Sequence, residues 1–154
     1  MAQKTFISAM LTSADVNLYL AGEGGAWTAW TPTVGQPGAV TVTNNFSRFA
    51  RYGRTIHFIL DLAVTGTGVA GNAVSVSLPA TAAHSGRLAH GTALLYDLSA
   101  NLNHRALINL ASTTGMTFEP TSTTTINVLG VTGFTAALAS GDAIQAAGTY
   151  EAAS

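Results

Sequence analysis

Residues 55–71, TIHFILDLAVTGTGVAG, carry the pattern most readily tied to chemistry: Gly66, Gly68 and Gly71 fall at GxGxxG spacing. In a dinucleotide site such a turn follows a strand and opens a helix whose N-terminus faces the pyrophosphate. Here NAVSVSL follows and alternates as a strand does, and no acidic residue stands near twenty positions on, since Asp97 is the next acid after Asp61. The spacing predicts a flexible hairpin between two antiparallel strands rather than a nucleotide site.

The four histidines raise metal or acid–base chemistry. His57 and Asp61 share a strand face, but four residues of extended chain hold them roughly 13 Å apart. His84, His90 and His104 fall in or near loops, and His84-x5-His90 matches no usual ligand spacing. Ordinary surface or interface histidines are expected, with the option that copies from three subunits meet on a symmetry axis. Ser85, His90 and Asp97 spell a triad on paper, yet no GxSxG elbow supports it. Asp61, Asp97, Glu119 and Asp142 lie in different segments, whereas a two-carboxylate glycosidase needs a pair roughly 5 to 9.5 Å apart. With no cysteine, disulfides, thiolate metal sites and thiol catalysis are excluded. No catalytic, cofactor-binding or metal residue is therefore assigned, and a non-enzyme is expected.

Other candidates are weaker. Trp27 and Trp30 could be a sugar-stacking platform, but i, i+3 spacing in an extended segment sends them to opposite faces, one buried and one at a rim. Arg48, Arg51 and Arg54 recur every third residue, and alternation again breaks up a basic patch. Asn45-Phe46-Ser47 fits a glycosylation sequon without a secretory signal beside it.

The elements that must position these residues are mostly strands. In 55–64, Ile56, Phe58, Leu60, Leu62 and Val64 share one face, and Thr55, His57, Ile59, Asp61 and Ala63 the other. AVSVSL turns Val74, Val76 and Leu78 inward and Ser75 and Ser77 outward. GAVTVTN, ALLYDL, HRALINLAS, GMTFEP, TTINVLGV and DAIQAAGTYEA add further strand-length runs, separated by Gly, Pro, Asn and Ser clusters. About eight short strands with no helical pattern between them predict an all-β, jelly-roll-like antiparallel β-sandwich over 26–154. Loop tips near 65–72 and 99–104 are expected to face outward. Residues 1–25 differ: LTSADVNLYLAG predicts one short helix, with Thr12 as N-cap, Asp15 three residues on and Gly22 as its stop. So short a helix is marginal alone, and its apolar residues need a surface to cover.

Composition narrows the function classes. The chain has 154 residues, enough for one domain, with 47% apolar residues and a mean hydropathy of +0.33. No run approaches the roughly 18 apolar residues of a membrane helix, and MAQKTFISAML makes a poor signal peptide. Six basic and seven acidic residues leave a net charge of −1, which gives no footprint for nucleic acid or an acidic membrane. Charged residues make up only 8%, against roughly 25% in an average domain. Surface charge keeps domains apart, so Thr- and Ser-coated faces or an obligate homo-oligomer are expected.

Two parts of the chain, its first 25 residues and its body, resemble a known family. TFISAMLTSADVNLYLAG resembles the short leader of minor tail and other virion proteins of phages infecting actinobacteria, carried here by Phe6, Leu11, Thr12, Asp15, Val16, Asn17, Tyr19 and Leu20. WTAWTPT at 27–33, FARYGRTIHF at 49–58 and ASGDAIQAAGTYEA at 139–152 resemble, in order, a β-sandwich module of tail-fibre and receptor-binding proteins of the same phages. The resemblance implies a non-enzymatic, homotrimeric virion protein, with the leader as anchor and the sandwich as an exposed tail-tip or tail-fibre knob that attaches to the host surface. Phe6, Ile7, Leu11, Val16, Tyr19 and Leu20 would dock it to other virion proteins. A single module follows the leader here, where such leaders often open longer proteins, so a capsid decoration protein or head fibre of the same fold stays open. A carbohydrate-binding module contacting host glycan comes next, and a cell-envelope glycosidase last.

Overall fold

The alternation at 55–64 becomes an interior strand of an antiparallel sheet. The computed structural model describes residues 26–86, 89–121 and 136–154. Its strands are β1 (Thr28–Ala29), β2 (Val34–Gly35), β3 (Gly38–Ala39), β4 (Val42–Tyr52), β5 (Thr55–Val64) and β6 (Thr67–Gly68). They continue with β7 (Ser75–Ser77), β8 (Gly91–Asp97), β9 (Leu102–Leu110), β10 (Gly115–Pro120) and β11 (Ala143–Glu151). Nine join in one sheet of order β1-β4-β5-β11-β8-β9-β10-β7-β2, while β3 and β6 pair separately. The all-β, antiparallel expectation holds, and the sheet is curled. There is no helix among the described residues. The helix expected within 11–22, the six anchor residues Phe6, Ile7, Leu11, Val16, Tyr19 and Leu20, and the strand expected in TTINVLGV all lie outside those residues.

Turn chemistry sets the local connections. β4 and β5 are joined by Gly53 and Arg54, and only Gly53 takes a positive φ, 59°. That is the pattern of a type II′ hairpin, whose first central position favours glycine. Between β8 and β9, Asn101 adopts φ 50°, a conformation that asparagine tolerates better than most residues. Asp97 caps that turn, accepting hydrogen bonds from Ser99 Oγ at 2.7 Å and the Ala100 N–H at 3.0 Å.

One face of the sheet makes the core. Ile56, Phe58, Leu60, Leu62 and Val64 are buried as the period predicts, together with Ile144 and Tyr150 of β11, Leu95 of β8, Ile108 and Leu110 of β9, and Met116 and Phe118 of β10. Val74 and Val76 are buried and Leu78 packs against them at the margin. In the middle of the sheet the inward row is Leu60, Ala146, Ala93 and Ala106, read straight from the pairing registers. Small side chains there leave room for the curl, which brings the large residues of β5 and β10 into one cluster. Gly148 serves the same tight packing: a Cβ at that position would stand 2.5 Å from the His90 carbonyl oxygen.

The GxGxxG segment is not the hairpin its spacing predicts. β5 lies between β4 and β11, and β7 between β10 and β2, so the segment after Val64 links strands that never pair. Its glycines answer to close packing. A Cβ at Gly66 would collide with the Ala39 carbonyl oxygen, and one at Gly68 with the Gln36 side chain. Gln36 is 7% exposed and fully used. Its amide donates to the Asn72 and Ala136 carbonyls, both at 2.9 Å, and its carbonyl accepts the Leu138 N–H at 3.1 Å.

Candidate functional site

The outward face of the curled sheet is where side chains remain available. The registers of β4, β5, β11, β8 and β9 align it in rows. One row reads Arg48, Ile59, Ala147, Thr92, Leu107 and the next Phe46, Asp61, Gln145, Leu94, Arg105. A bulge in β4 decides the composition of the second row. Asn44 pairs with Leu62 and Phe46 with Asp61, leaving Asn45 unpaired. In an unbroken register, with Asn45 paired to Asp61, Phe46 would stand opposite Leu60 and point into the core, because each one-residue slip exchanges the two faces.

The result is an open groove of about 680 Å³ whose floor includes Ile59, Leu94, Leu107 and Ala147. Phe46 is 42% exposed, Ile59 38% and Leu107 39%, so this is a contiguous apolar strip rather than scattered residues. Arg48 covers part of it, its guanidinium 5.0 Å from the Phe46 ring centroid. Asp61 stands on one bank, in contact with Gln145 Nε2 at 3.3 Å. Arg105 stands on the other bank, three strand spacings or about 14 Å away. Ile59 and Ala147 also border a second hollow with Trp27, Tyr52, His57 and Thr149. There His57 Nδ1 lies 3.0 Å from Thr149 Oγ1, and the Tyr52 ring meets the imidazole edge-on at 5.6 Å.

The tryptophans split between faces as their spacing predicts. Trp30 packs edge-on against Phe58 at 6.1 Å, and Trp27 is 52% exposed at the rim. The arginines do not combine into a patch: Arg51 donates to the Gly53 carbonyl, Arg54 pairs with Glu151 at 3.2 Å, and Arg48 lies over Phe46. The sequon residue Asn45 is the bulge itself. Within the segments 65–72 and 99–104, Val69 is 48% and Leu102 51% exposed.

Among the described residues, the triad spelled by the sequence does not assemble. Asp97 sits at the far end of β8 from His90, about 20 Å along a seven-residue strand, so Ser85, His90 and Asp97 form no triad. Its carboxyl is held below the usual range by the Ser99 hydroxyl and then the Ala100 N–H. Asp142 comes to the same corner, but its carboxylate is occupied by the N–H groups of Leu98 at 3.0 Å and Ala139 at 2.8 Å. Glu119 accepts from Asn109 Nδ2 at 2.7 Å. Asp61 lies on the groove bank, and His104 is on β9 opposite Leu95. Among the described residues no three His, Asp or Glu side chains gather as a metal site, and no helix is long and apolar enough to cross a membrane.

The fold does join two residues that sequence spacing kept apart: the His84 and His90 rings lie 5.4 Å apart, centroid to centroid. The groove residues Phe46, Leu94, Leu107 and Ala147 were likewise missed as a set. The legible signal was Ile59 and Ala63 on the supposedly polar face of 55–64, an apolar pair with no core to enter. Comparison with protein-family models, with curated proteins and with solved structures finds no match to this chain.

Proposed function

We propose that this chain is a structural protein of a bacteriophage particle, a tail-tip or tail-fibre knob that works as a homotrimer. In this reading the curled sheet is a jelly-roll-like sandwich, residues 1–25 anchor it to other virion proteins, and the outermost loops meet the host surface. The observation that supports it is the apolar outward strip through Phe46, Ile59, Leu94 and Leu107, on a body with only 8% charged residues. Such a face is covered at little cost by a sister copy, since apolar area removed from water contributes roughly 25 cal/mol per Å². The two banks are complementary in charge: Asp61 of one copy can face Arg105 of another. The motif order in the leader and in the WTAWTPT, FARYGRTIHF and ASGDAIQAAGTYEA segments points to the particle.

Immuno-electron microscopy of particles, combined with light scattering of the purified chain, tests this reading. Labelled tail tips and a mass of three chains are the expected result. Deleting residues 1–22 should leave a folded trimer that no longer enters particles. Normal occupancy by the truncated chain overturns the anchor, and label confined to the head shifts the assignment to a decoration protein.

A further inference from the structure

We propose that the hollow bordered by Trp27 and Tyr52 on the outward face of the sheet binds a neutral sugar ring, a pyranose at the end of a glycan. The sheet registers build it mainly from one row. Ala50 pairs with His57 and His57 with Thr149, and one step beyond the Thr28–Phe49 pair brings Trp27 opposite Ala50. Small residues make the floor, Ala50 in this row and Ala147 in the next. Ala50 faces outward yet is only 2% exposed, so the larger side chains beside it stand over it as walls. Trp27 and Tyr52 are themselves about half exposed, and the space they border measures about 700 Å³.

This lining fits both aspects of a sugar. A pyranose presents an apolar C–H face and a rim of hydroxyls that donate and accept. Tryptophan and tyrosine each offer an apolar ring with a polar tip, and small-ligand sites are apolar hollows with a few placed polar groups. Among the described residues, the Trp27 indole N–H, the Tyr52 hydroxyl and His57 Nε2 have no hydrogen-bond partner. The first donates, and the other two donate or accept, which is the mixture that hydroxyls require. His57 is held beforehand, since its Nδ1 shares a hydrogen bond with Thr149 Oγ1 at 3.0 Å and its ring meets Tyr52 edge-on. Binding therefore needs little further ordering of that side chain.

Charge selects the class of sugar. Among the described residues no Lys, Arg, Asp or Glu lines the hollow, and Glu151, two residues beyond Thr149 on β11, is already paired with Arg54. A charged sugar would lose water there without gaining a counter-charge. A purely apolar partner would leave the polar tips unpaired. The inference rests on the proposed attachment role in one respect, that it names the chemistry of the host partner. Three copies would present three hollows, and linked sites gain avidity from weak single ones.

The test is binding of the purified full-length chain to immobilised neutral oligosaccharides of glucose, galactose, mannose and N-acetylglucosamine. Glucuronic acid is the charged control and a proline-rich peptide the apolar one. The expected result is saturable binding to at least one neutral sugar, at least tenfold weaker in Trp27→Ala and in Tyr52→Ala. Val69→Ala, in the exposed segment 65–72, should bind as the parent chain does. The chain has two tryptophans, so NMR of the unsubstituted protein gives a readout independent of any variant's folding. The bound sugar should shift the indole signal of Trp27 and leave that of Trp30, packed against Phe58, in place. No binding to any neutral sugar of the panel, preference for the charged sugar or the peptide, binding that survives both aromatic substitutions, or a shift confined to Trp30 overturns the proposal. Particle labelling does not depend on these outcomes, so the sugar site and the virion reading fail separately.

Discussion

The phenol of Tyr150 donates to the Ala80 carbonyl oxygen at 2.6 Å and accepts the N–H of the same residue at 3.0 Å. One buried hydroxyl on β11 thus satisfies both backbone groups of a residue seventy positions earlier. Tyr150→Phe leaves both of them without a partner and should cost about 1–3 kcal/mol, read as a lower midpoint in chemical denaturation.

The same phenol predicts a response to alkali. Burial raises the Tyr150 pKa to about 12, against the smaller lowering effect of its bond with Ala80. The unfolded chain ionises near 10, so the contribution is complete below that pH and is lost as pH rises through about 12. Thermal unfolding midpoints should fall across this window, and more steeply in the parent chain than in Tyr150→Phe. Equal slopes would refute the assignment.

Asp97 predicts a smaller effect at the acid end. Its folded pKa is depressed, so its support is present above the ordinary Asp value and disappears as pH falls through the folded one. Asp97→Asn should lower the melting temperature slightly at neutral pH. The two proteins should converge on acidification below about pH 4.

Gln36 is a three-way staple between segments that are 36, 100 and 102 residues away in sequence. Gln36→Leu keeps the volume and removes the bonds, leaving the Leu138 N–H and two carbonyls to find other partners. A loss of about 1–3 kcal/mol is expected. Hydrogen exchange supplies the specific check, because the Leu138 amide should lose protection before the β5 amides do.

Faces of β5 should respond differently to substitution. Phe58→Ala removes a core ring and should cost about 3–5 kcal/mol. Ile59→Asp, on the outward strip, should change the stability of a single chain little but reduce the light-scattering mass to one chain. A parent protein that is already single would sink the trimer instead.

Legibility followed the range of each interaction. The inward set Ile56, Phe58, Leu60, Leu62 and Val64 and the split of Trp27 from Trp30 were readable, because period-2 alternation is a property of the local backbone. The groove was not. Phe46 reaches it through a bulge at Asn45, and Leu94, Leu107 and Ala147 reach it through pairings with distant strands. Nor was the packing role of Gly66 and Gly68, which depends on where residues 36–41 return.

By itself the amino-acid order determined which segments extend, which side of each is apolar, and how little charge the body carries. Only the tertiary structure decided which strands are neighbours, and with that the outward row through Ile59 and Ala147 and the meeting of His84 with His90. The reason is physical: alternation sets the two faces of a strand, but the curl and the closing of long connections choose which faces share water and which share a core.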